Sequence, residues 1–411
     1  MTRRLIAILT VVAALATPAL VRAQSLPPPP TGPVADPAEN AKVRIGPFFL
    51  QPAFGLSNVG LDTNVFNDPE NVQKDWTGTV SLGMLAGVRF GPTRLTVKTN
   101  TDYVYYAHFN DERSIDGVTR YQFEVRRPRL RPWIAYEKTK SHERYGFEID
   151  ERAGRNSGVY EAGVEYRVGF RLGTRFIGRQ RKSAYQAEET FRGVTLSDTL
   201  DATFREGAVQ LLYELSPLSS LRLSGEVTQN RFEKATRRNS EDRSAFIGIE
   251  GGKGAGIEGQ VDVGWTQRTS DDPTAPSFDG LVARGSAALI LWEQVRVAFG
   301  LDRGPQWAFE DFYSFYIQSG GSTEVTWRPH QRFDIIATGQ HYWLDYNHAL
   351  DERGVLRTDK VYSYGGGIGF FLQGYPGPRL GVSLERSARE SIIEERRYDS
   401  LRYYTHVGFS F

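Results

Sequence analysis

The sequence LRYYTHVGFSF, residues 401–411, decides the fold because its side chains alternate in character. One set of alternate residues is mostly apolar and ends on Phe409 and Phe411, whereas the other set holds Arg402, His406 and Ser410. A period of two is typical of a β-strand, and two unlike faces indicate that the strand lies between two different media. We therefore expect the apolar face to meet either a protein core or a lipid bilayer.

The same alternation recurs along the chain from residue 43 onwards, and no stretch there favours a helix by its period. We predict eighteen strands, at 45–62, 76–90, 94–108, 117–127, 131–145, 157–169, 171–186, 202–216, 219–232, 242–252, 256–269, 280–292, 294–303, 309–327, 331–346, 359–373, 378–387 and 399–411.

The connections between these strands alternate in length. Short, turn-like connections lie at 91–93, 127–129, 169–170, 216–220, 251–256, 328–330 and 373–378, and longer polar ones lie between them, at 146–156 and 187–201 for example. A soluble sandwich or propeller gives no reason for such regularity, whereas a bacterial outer-membrane barrel has short turns at one end and long loops at the other. We therefore predict an all-β fold, a transmembrane antiparallel up-and-down β-barrel of about 18 strands (16–18) that Phe411 closes.

The polar faces of several strands carry ionised side chains at successive positions. Burying so many charges in a packed core is costly, so we expect this face to line a hydrated lumen. The predicted lumen-lining residues are Arg89, Arg126, Glu161, Glu165, Arg167, Arg171, Arg175, Arg179, Arg181, Glu214, Arg222, Glu226, Glu258 and Asp262.

Most of the 50 basic residues are arginine, and two interpretations of the charged face are open. An arginine strip with its rigid forks of donors suits carboxylates, and would guide an anionic or polyhydroxylated solute. Alternatively, arginine and glutamate neutralise each other in a ladder that only stiffens the wall.

Aromatic residues cluster near the predicted strand ends, which favours girdles at the two membrane interfaces over a sugar-binding track in the lumen. The girdle candidates are Tyr103, Tyr105, Trp265, Trp292, Trp307, Tyr313, Phe315, Trp327, Tyr342, Trp343 and Tyr403. Only Trp133, Tyr106 and Tyr404 are candidates for inward-facing rings.

The N-terminal segment indicates export. Residues 1–23 have a basic start, an apolar run and small residues before Gln24, as in a cleaved secretory signal peptide. Residues 24–42 read as a Pro-rich periplasmic linker, and 43–411 as the barrel. Acidic and basic residues nearly balance, which gives no reason to expect a nucleic-acid partner, and cysteine is absent.

Catalytic motifs are missing, and we predict that the chain is not an enzyme and uses no cofactor or metal. The weak candidate for a catalytic site is a pair of histidines, His341 and His348, near Asp345 and Asp351. It would make the chain a lipid-modifying barrel enzyme.

The stretch VRIGPFFLQPAFGLSNVGLDTNVF, residues 43–66, resembles the opening of the outer-membrane β-barrel porin family associated with exopolysaccharide export loci. The matching positions are Gly46, Phe48, Pro52, Asp62, Asn64 and Phe66. Thr63 stands where that family usually has a second aspartate. The resemblance implies an outer-membrane channel for polysaccharide export with a periplasmic export partner, and supplies no catalytic residue.

We therefore predict a porin-like channel for polysaccharide or other hydrophilic solutes, gated by the loops at 187–201, 347–358 and 388–398. The alternative from a different class is a closed structural or adhesive barrel whose loops bind a partner. In either class, the expected partners of the chain are outer-membrane lipid, lipopolysaccharide and the barrel-assembly machinery, for which Phe409 and Phe411 are the expected assembly signal.

Overall fold

The computed structural model describes residues 41, 43–252, 254–309, 314–349, 356–375 and 377–410. Eighteen long strands, here β1 to β18, follow one another in the chain. They are Phe48–Asp62, Asp75–Phe90, Thr93–Tyr106, Ser114–Val125, Leu130–Glu143, Ala153–Arg167, Leu172–Tyr185, Ala202–Ser216, Ser219–Phe232, Ser240–Gly251, Ile257–Ser270, Phe278–Leu291, Val295–Trp307, Phe315–His330, Phe333–Ala349, Leu356–Phe371, Arg379–Glu390 and Tyr398–Ser410. Among the described residues, no helix is long and apolar enough to cross a membrane.

Every long strand pairs antiparallel with the next one in the chain, and β18 pairs with β1. The closing register joins Ala53 to Ser410 and Asp62 to Arg402. The sheet therefore has no free edge, which is what a β-structure in lipid requires. The predicted eighteen-stranded up-and-down barrel is confirmed.

Several predicted boundaries differ from the structure: the strand predicted at 294–303 runs on to Trp307, and the one predicted at 309–327 begins at Phe315. Two other differences have local causes. The first strand does not run from 45, because Gly46 adopts a φ of +58° and turns the chain between a short strand, Val43–Ile45, and β1. The expected turn at 328–330 is instead the end of β14, and the chain turns after His330. The expected signal peptide, the linker apart from Ala41, and the terminal Phe411 lie outside the described residues.

The two faces of the wall differ as the alternation predicts. Exposed apolar side chains such as Tyr160, Leu223 and Val263 alternate with buried polar ones such as Glu161, Ser224 and Asp262. The apolar set faces outward and forms the surface that meets lipid.

The wall bends sharply between β7 and β12. Arg175 on β7 contacts Glu250 on β10, and Arg284 on β12 contacts Glu226 on β9, so each pair reaches across two intervening strands. In a flat sheet those strands would be roughly 14 Å apart, since neighbours are spaced at about 4.8 Å. The contacts therefore require a strongly curved arc whose inward side chains converge.

Two glycines within β11 and β12 permit this curvature. Gly259 and Gly285 have φ values of +119° and +138°, which L side chains rarely adopt. A Cβ on Gly285 would also collide with the carbonyl oxygen of Gln260. We expect Gly285→Ala to lower the free energy of unfolding by about 1–3 kcal/mol, measured by urea unfolding in lipid vesicles.

Gly207 on β8 provides the matched control. It has no neighbouring atom that a Cβ would meet and no positive φ. Gly207→Ala should be neutral or slightly stabilising, because alanine loses less backbone entropy on folding. Equal effects of the two substitutions would show that Gly285 has no special role in bending the wall.

Candidate functional site: the barrel lumen

The inner face of the curved arc carries a network of paired charges. Arg175 contacts Glu165 at 2.9 Å and Glu250 at 3.3 Å, and Arg222 contacts Glu250 at 3.1 Å. Arg222 continues the network to Asp262 at 2.5 Å. Each arginine thus bridges two carboxylates, so that neither charge is left alone in a position shielded from solvent.

A second branch lies one step further along the strands. Arg179 contacts Glu161 at 2.9 Å and Glu206 at 3.3 Å, and the Trp133 indole donates to Glu161 at 3.0 Å. Arg120 also contacts Glu161, at 3.0 Å. The charges lie on the inner face, as the alternation predicts, and on this arc they are packed against each other and buried.

The structure therefore favours the self-neutralised ladder for the arc between β6 and β12. Members of the predicted lumen set that belong to it are Glu161, Glu165, Arg175, Arg179, Arg222, Glu226 and Asp262. Glu258 is apart from them, at a turn, where it accepts a hydrogen bond from the Gly254 amide at 2.7 Å.

Of the remaining arginines of the predicted set, Arg181 lies near the long-loop end of β7 and is buried, and the other four lie near the short turns. Arg89, Arg126, Arg167 and Arg171 lie at the ends of β2, β4 and β6 and just before β7. Arg126 contacts Glu124 at 2.7 Å, and Arg167 is 3.7 Å from Glu214. A recess opens here towards solvent, and its lining balances Arg167, Arg171 and Arg175 against Glu165, Glu214 and Glu250. Arg127, Arg129 and Arg131 add positive charge in the neighbouring turn.

At the other end, the connection between β5 and β6 folds into the lumen. Residues 144–152, the in-folded loop, bury Phe147, Glu148 and Ile149. The Glu148 carboxylate accepts hydrogen bonds from the Tyr346 hydroxyl on β15 and from the Phe309 amide. In an eighteen-stranded barrel β15 lies nearly opposite β5 and β6, so the loop crosses the lumen.

Two arginines of the far wall hold the in-folded loop. Arg389 on β17 donates to the Phe147 carbonyl at 2.6 Å and to Asp150 at 2.8 Å. Arg396, in the connection after β17, donates to the Glu148 carbonyl and lies 3.3 Å from Asp150. Burial raises the pKa of Glu151 on the same loop, and the neighbouring Asp150 carboxylate adds to this shift.

The tip of the β13–β14 hairpin also enters the lumen. The pairing of β12 with β13 ends at Ala283 and Arg303, although β13 continues to Trp307 in partnership with β14. Phe309 in this tip packs on Phe191 from the connection after β7, with ring centroids 4.9 Å apart. Several long connections therefore meet over the lumen.

Of the three loops predicted to gate the channel, 187–201 and 388–398 contact each other over the lumen. The contact is a hydrogen bond that Arg192, in the first of these loops, donates to the carbonyl of Glu395, in the second, at 3.0 Å. Most of 347–358 lies outside the described side chains. The sequence analysis predicted a long connection at 146–156 but did not predict that it folds into the lumen. The signal for this inward fold was the pair of apolar residues, Phe147 and Ile149, in an otherwise polar loop.

Several aromatic residues assigned to the membrane girdles lie inside instead. Trp307 and Phe315 are buried, because the tip of the β13–β14 hairpin leaves the wall, and Tyr342 packs on Phe147. The exposed girdle members are Tyr103, Tyr105, Trp265, Trp292, Trp327, Trp343 and Tyr403, and Tyr313 lies outside the described residues. Inward rings on neighbouring strands therefore exist, contrary to the prediction, as Phe204 on β8 and Phe232 on β9 show.

The motif at the start of the barrel lies at the seam between β1 and β18. Asp62 accepts hydrogen bonds from Ser400 at 2.9 Å and Arg402 at 2.8 Å, and Asn64 donates to the Asp399 carbonyl at 3.2 Å. The Thr63 hydroxyl accepts from the Leu401 amide at 2.8 Å.

The other motif positions surround this seam. Phe66 packs edge-on against Phe109 at 4.9 Å, Gly46 forms the turn before β1, and Phe48 is exposed on the outer face. Pro52 lies within β1. Of the motif, Asp62 and Asn64 therefore bond directly to the closing strand, β18.

The histidine cluster considered from the sequence is not assembled in the described part of the chain. His341 is exposed and stacks on Trp343 at 4.1 Å, and Asp345 accepts a hydrogen bond from Thr358. The side chain of His348 and all of Asp351 lie outside the described residues.

A closed barrel of eighteen antiparallel strands with an apolar outer face and a charged interior defines a transmembrane β-barrel of the outer-membrane porin class. A family model described as "Putative beta-barrel porin 2" matches residues 36–411, and the chain belongs to this family. The family resemblance seen in the sequence is thereby confirmed. The comparison with curated proteins gave no match.

Similar solved structures are outer-membrane proteins of low sequence identity. OccK2 (OpdF) of Pseudomonas aeruginosa is 11% identical, with 88% of this chain and 98% of that chain covered and a TM-score of 0.50. OpdK of Pseudomonas aeruginosa with vanillate is also 11% identical, with 88% and 99% covered and a TM-score of 0.48. OccAB3 of Acinetobacter baumannii gives the same four values as OpdK. At this identity the likeness shows the fold alone.

Proposed function

We propose that the chain is an outer-membrane channel for anionic hydrophilic solutes, and that acidic polysaccharide leaving the periplasm is the favoured class. The observation that carries the proposal is the charge of the short-turn end, where Arg126, Arg131, Arg167 and Arg171 lie at or near the mouth of the lumen. Short turns face the periplasm in bacterial outer-membrane barrels, so an anion would enter at this end.

The two ends of the lumen differ in what they do in this proposal. The basic short-turn mouth raises the local concentration of anions, because a cleft lined by one sign of charge attracts the opposite sign. The in-folded loop, held by Arg389 and Arg396, narrows the far end and selects by size. A periplasmic polysaccharide-export protein would dock against the short turns.

Charge reversal at the short-turn mouth should change ion selectivity. We expect Arg167→Glu with Arg171→Glu to move the reversal potential of single channels in planar bilayers towards cation selectivity under a KCl gradient. The reason is that the lining of the mouth, which balances three arginines against three glutamates, would become mainly acidic. The shift should shrink at high salt, because mobile ions screen the mouth.

Arg243→Glu on the outer face of β10 is the control, since this residue is exposed and, among the described residues, forms an ion pair only with Glu241. It should leave the reversal potential unchanged. An unchanged potential in the double variant would refute anion recruitment at this mouth. A purified barrel that carries no current at all would instead favour the closed structural barrel, for which the loop contacts over the lumen are the supporting observation.

A further inference from the structure

The N-terminal segment is attached to the inner wall of the short-turn mouth. Ala41, just before the short strand Val43–Ile45, is 7% exposed and packs against Phe49 on β1. Phe49 is 4% exposed and points into the lumen, because its neighbours Phe48 and Leu50 are exposed on the outer face. The residues that precede Ala41 therefore begin inside the mouth and not at its outer rim.

The inner wall beside this attachment point is basic. Arg89 on β2 and Arg94 on β3 face each other directly across the two strands, on the inner side. Arg94 in turn faces Glu124 on β4, which Arg126 contacts at 2.7 Å. Three arginines against one glutamate leave this part of the wall with a net charge of +2. Like charges directly opposite each other on a sheet repel, so an anion placed beside them stabilises the pair.

The segment before Ala41 carries the complementary charge. Residues 24–40, which lie outside the described residues, read QSLPPPPTGPVADPAEN, and their only charged side chains are Asp36 and Glu39, a net charge of −2. Glu39 is two residues from Ala41 and Asp36 is five, which an extended chain spans in at most about 7 Å and 18 Å. Neighbouring strands are about 4.8 Å apart, so both acids can reach the arginines on β2 and β3.

The composition of the segment lowers the free-energy cost of holding it against the wall. Six of its seventeen residues are proline, and proline-rich chains are stiff and already extended, so docking removes little conformational freedom. The attachment at Ala41 also keeps the segment near the mouth at an effective concentration on the order of millimolar. Weak ionic contacts are then enough to keep it in place.

We propose that residues 24–40 dock inside the short-turn mouth, with Asp36 and Glu39 against Arg89, Arg94 and Arg126. The segment is then a tethered anion that a solute anion has to displace before it passes the mouth. The docking itself requires no channel activity, and only its effect on the current rests on the proposed function.

Thiol labelling tests the docking without any measurement of current. The chain contains no cysteine, so Gln122→Cys, on the inner face of β4 near Glu124, reports how freely a neutral maleimide reaches this wall. In the full chain in detergent, we expect labelling to become severalfold faster when Asp36→Asn and Glu39→Gln are added, because the segment then leaves the arginines. Gln340→Cys on β15, on the far wall of the lumen, should be labelled equally fast in both backgrounds.

Planar bilayers test the effect on the current. The double substitution of Asp36 and Glu39 should move the reversal potential towards anion selectivity under a KCl gradient, because the mouth loses its tethered acids. The shift should fade at high salt. Glu241→Gln with Asp271→Asn, which removes two negative charges from the long-loop end, should leave the potential unchanged.

The outcomes separate the docking from the channel function. Equal labelling at position 122 with and without the two acids would refute the docking, whatever current flows. Labelling that ignores the acids but is slowed by inorganic phosphate would show that the arginines hold a free anion instead. Labelling that responds to the acids in a barrel without current would support the docking and refute the channel alone.

Discussion

Replacing residues 144–152 with Asn-Gly should raise the single-channel conductance severalfold. The in-folded loop crosses the lumen to reach Tyr346 and Arg389 on the far wall, so its removal widens the narrowest part of the path. The replacement is compatible with the barrel, because Glu143 and Ala153 face each other directly across β5 and β6. Asn-Gly is the dipeptide that best joins two such strands. Conductance in planar bilayers is the measurement.

The control removes the same length from a connection that does not cross the lumen. Residues 269–277 are the last two residues of β11 and its connection to β12, and Arg268 and Phe278 face each other in the same way. Asp271 and Asp272 in this segment form ion pairs with Arg231 and Arg237 of the neighbouring β9–β10 hairpin. That replacement should leave the conductance unchanged. A shortened 144–152 variant with unaltered conductance would show that another segment limits the flow.

The second large effect is expected from Arg222→Ala, which should lower the free energy of unfolding by about 3–5 kcal/mol. Arg222, Glu250 and Asp262 are 1%, 3% and 0% exposed. Removing the guanidinium leaves two carboxylates buried side by side with one bridge fewer, and that uncompensated charge is the source of the loss. Urea unfolding in vesicles, followed by tryptophan fluorescence, measures it.

Arg243→Ala separates burial from charge. Arg243 contacts Glu241 at 2.9 Å but has a side chain that is 72% exposed, and exposed pairs contribute little, at most about 1 kcal/mol. If Arg222→Ala lowered the free energy of unfolding by a similarly small amount, solvent would have to reach the charged network. The inner face of the arc would then be hydrated, as the sequence predicts for the lumen wall.

Much of the fold could be predicted because it depends on local alternation. Tyr160 beside Glu161, or Val263 beside Asp262, assigns the outer and inner faces without knowledge of any distant residue. Alternating loop lengths then give the barrel. The exceptions were set by particular residues, such as Gly46, whose turn breaks the first predicted strand.

The interior could be predicted less well, because it depends on how strands are placed around the circumference. No spacing in the sequence shows that Arg175 reaches Glu250, since the contact depends on curvature that glycines such as Gly285 permit. Trp307 was assigned to the membrane surface because alternation holds only while a strand stays in the wall. The apolar residues Phe147 and Ile149 in a polar connection were the local signal that this loop turns into the lumen.

The seam formed by Asp62, Thr63 and Asn64 has a consequence for how such barrels change over evolutionary time. Its bonds to Asp399, Ser400, Leu401 and Arg402 join the first strand and the residues just after it directly to the last strand. Hairpins can therefore be gained or lost between them, two strands at a time, without disturbing these bonds. The width of the pore and the closure of the barrel can therefore change independently. The motif at Asp62, Thr63 and Asn64 serves closure, which barrels with different numbers of strands can share.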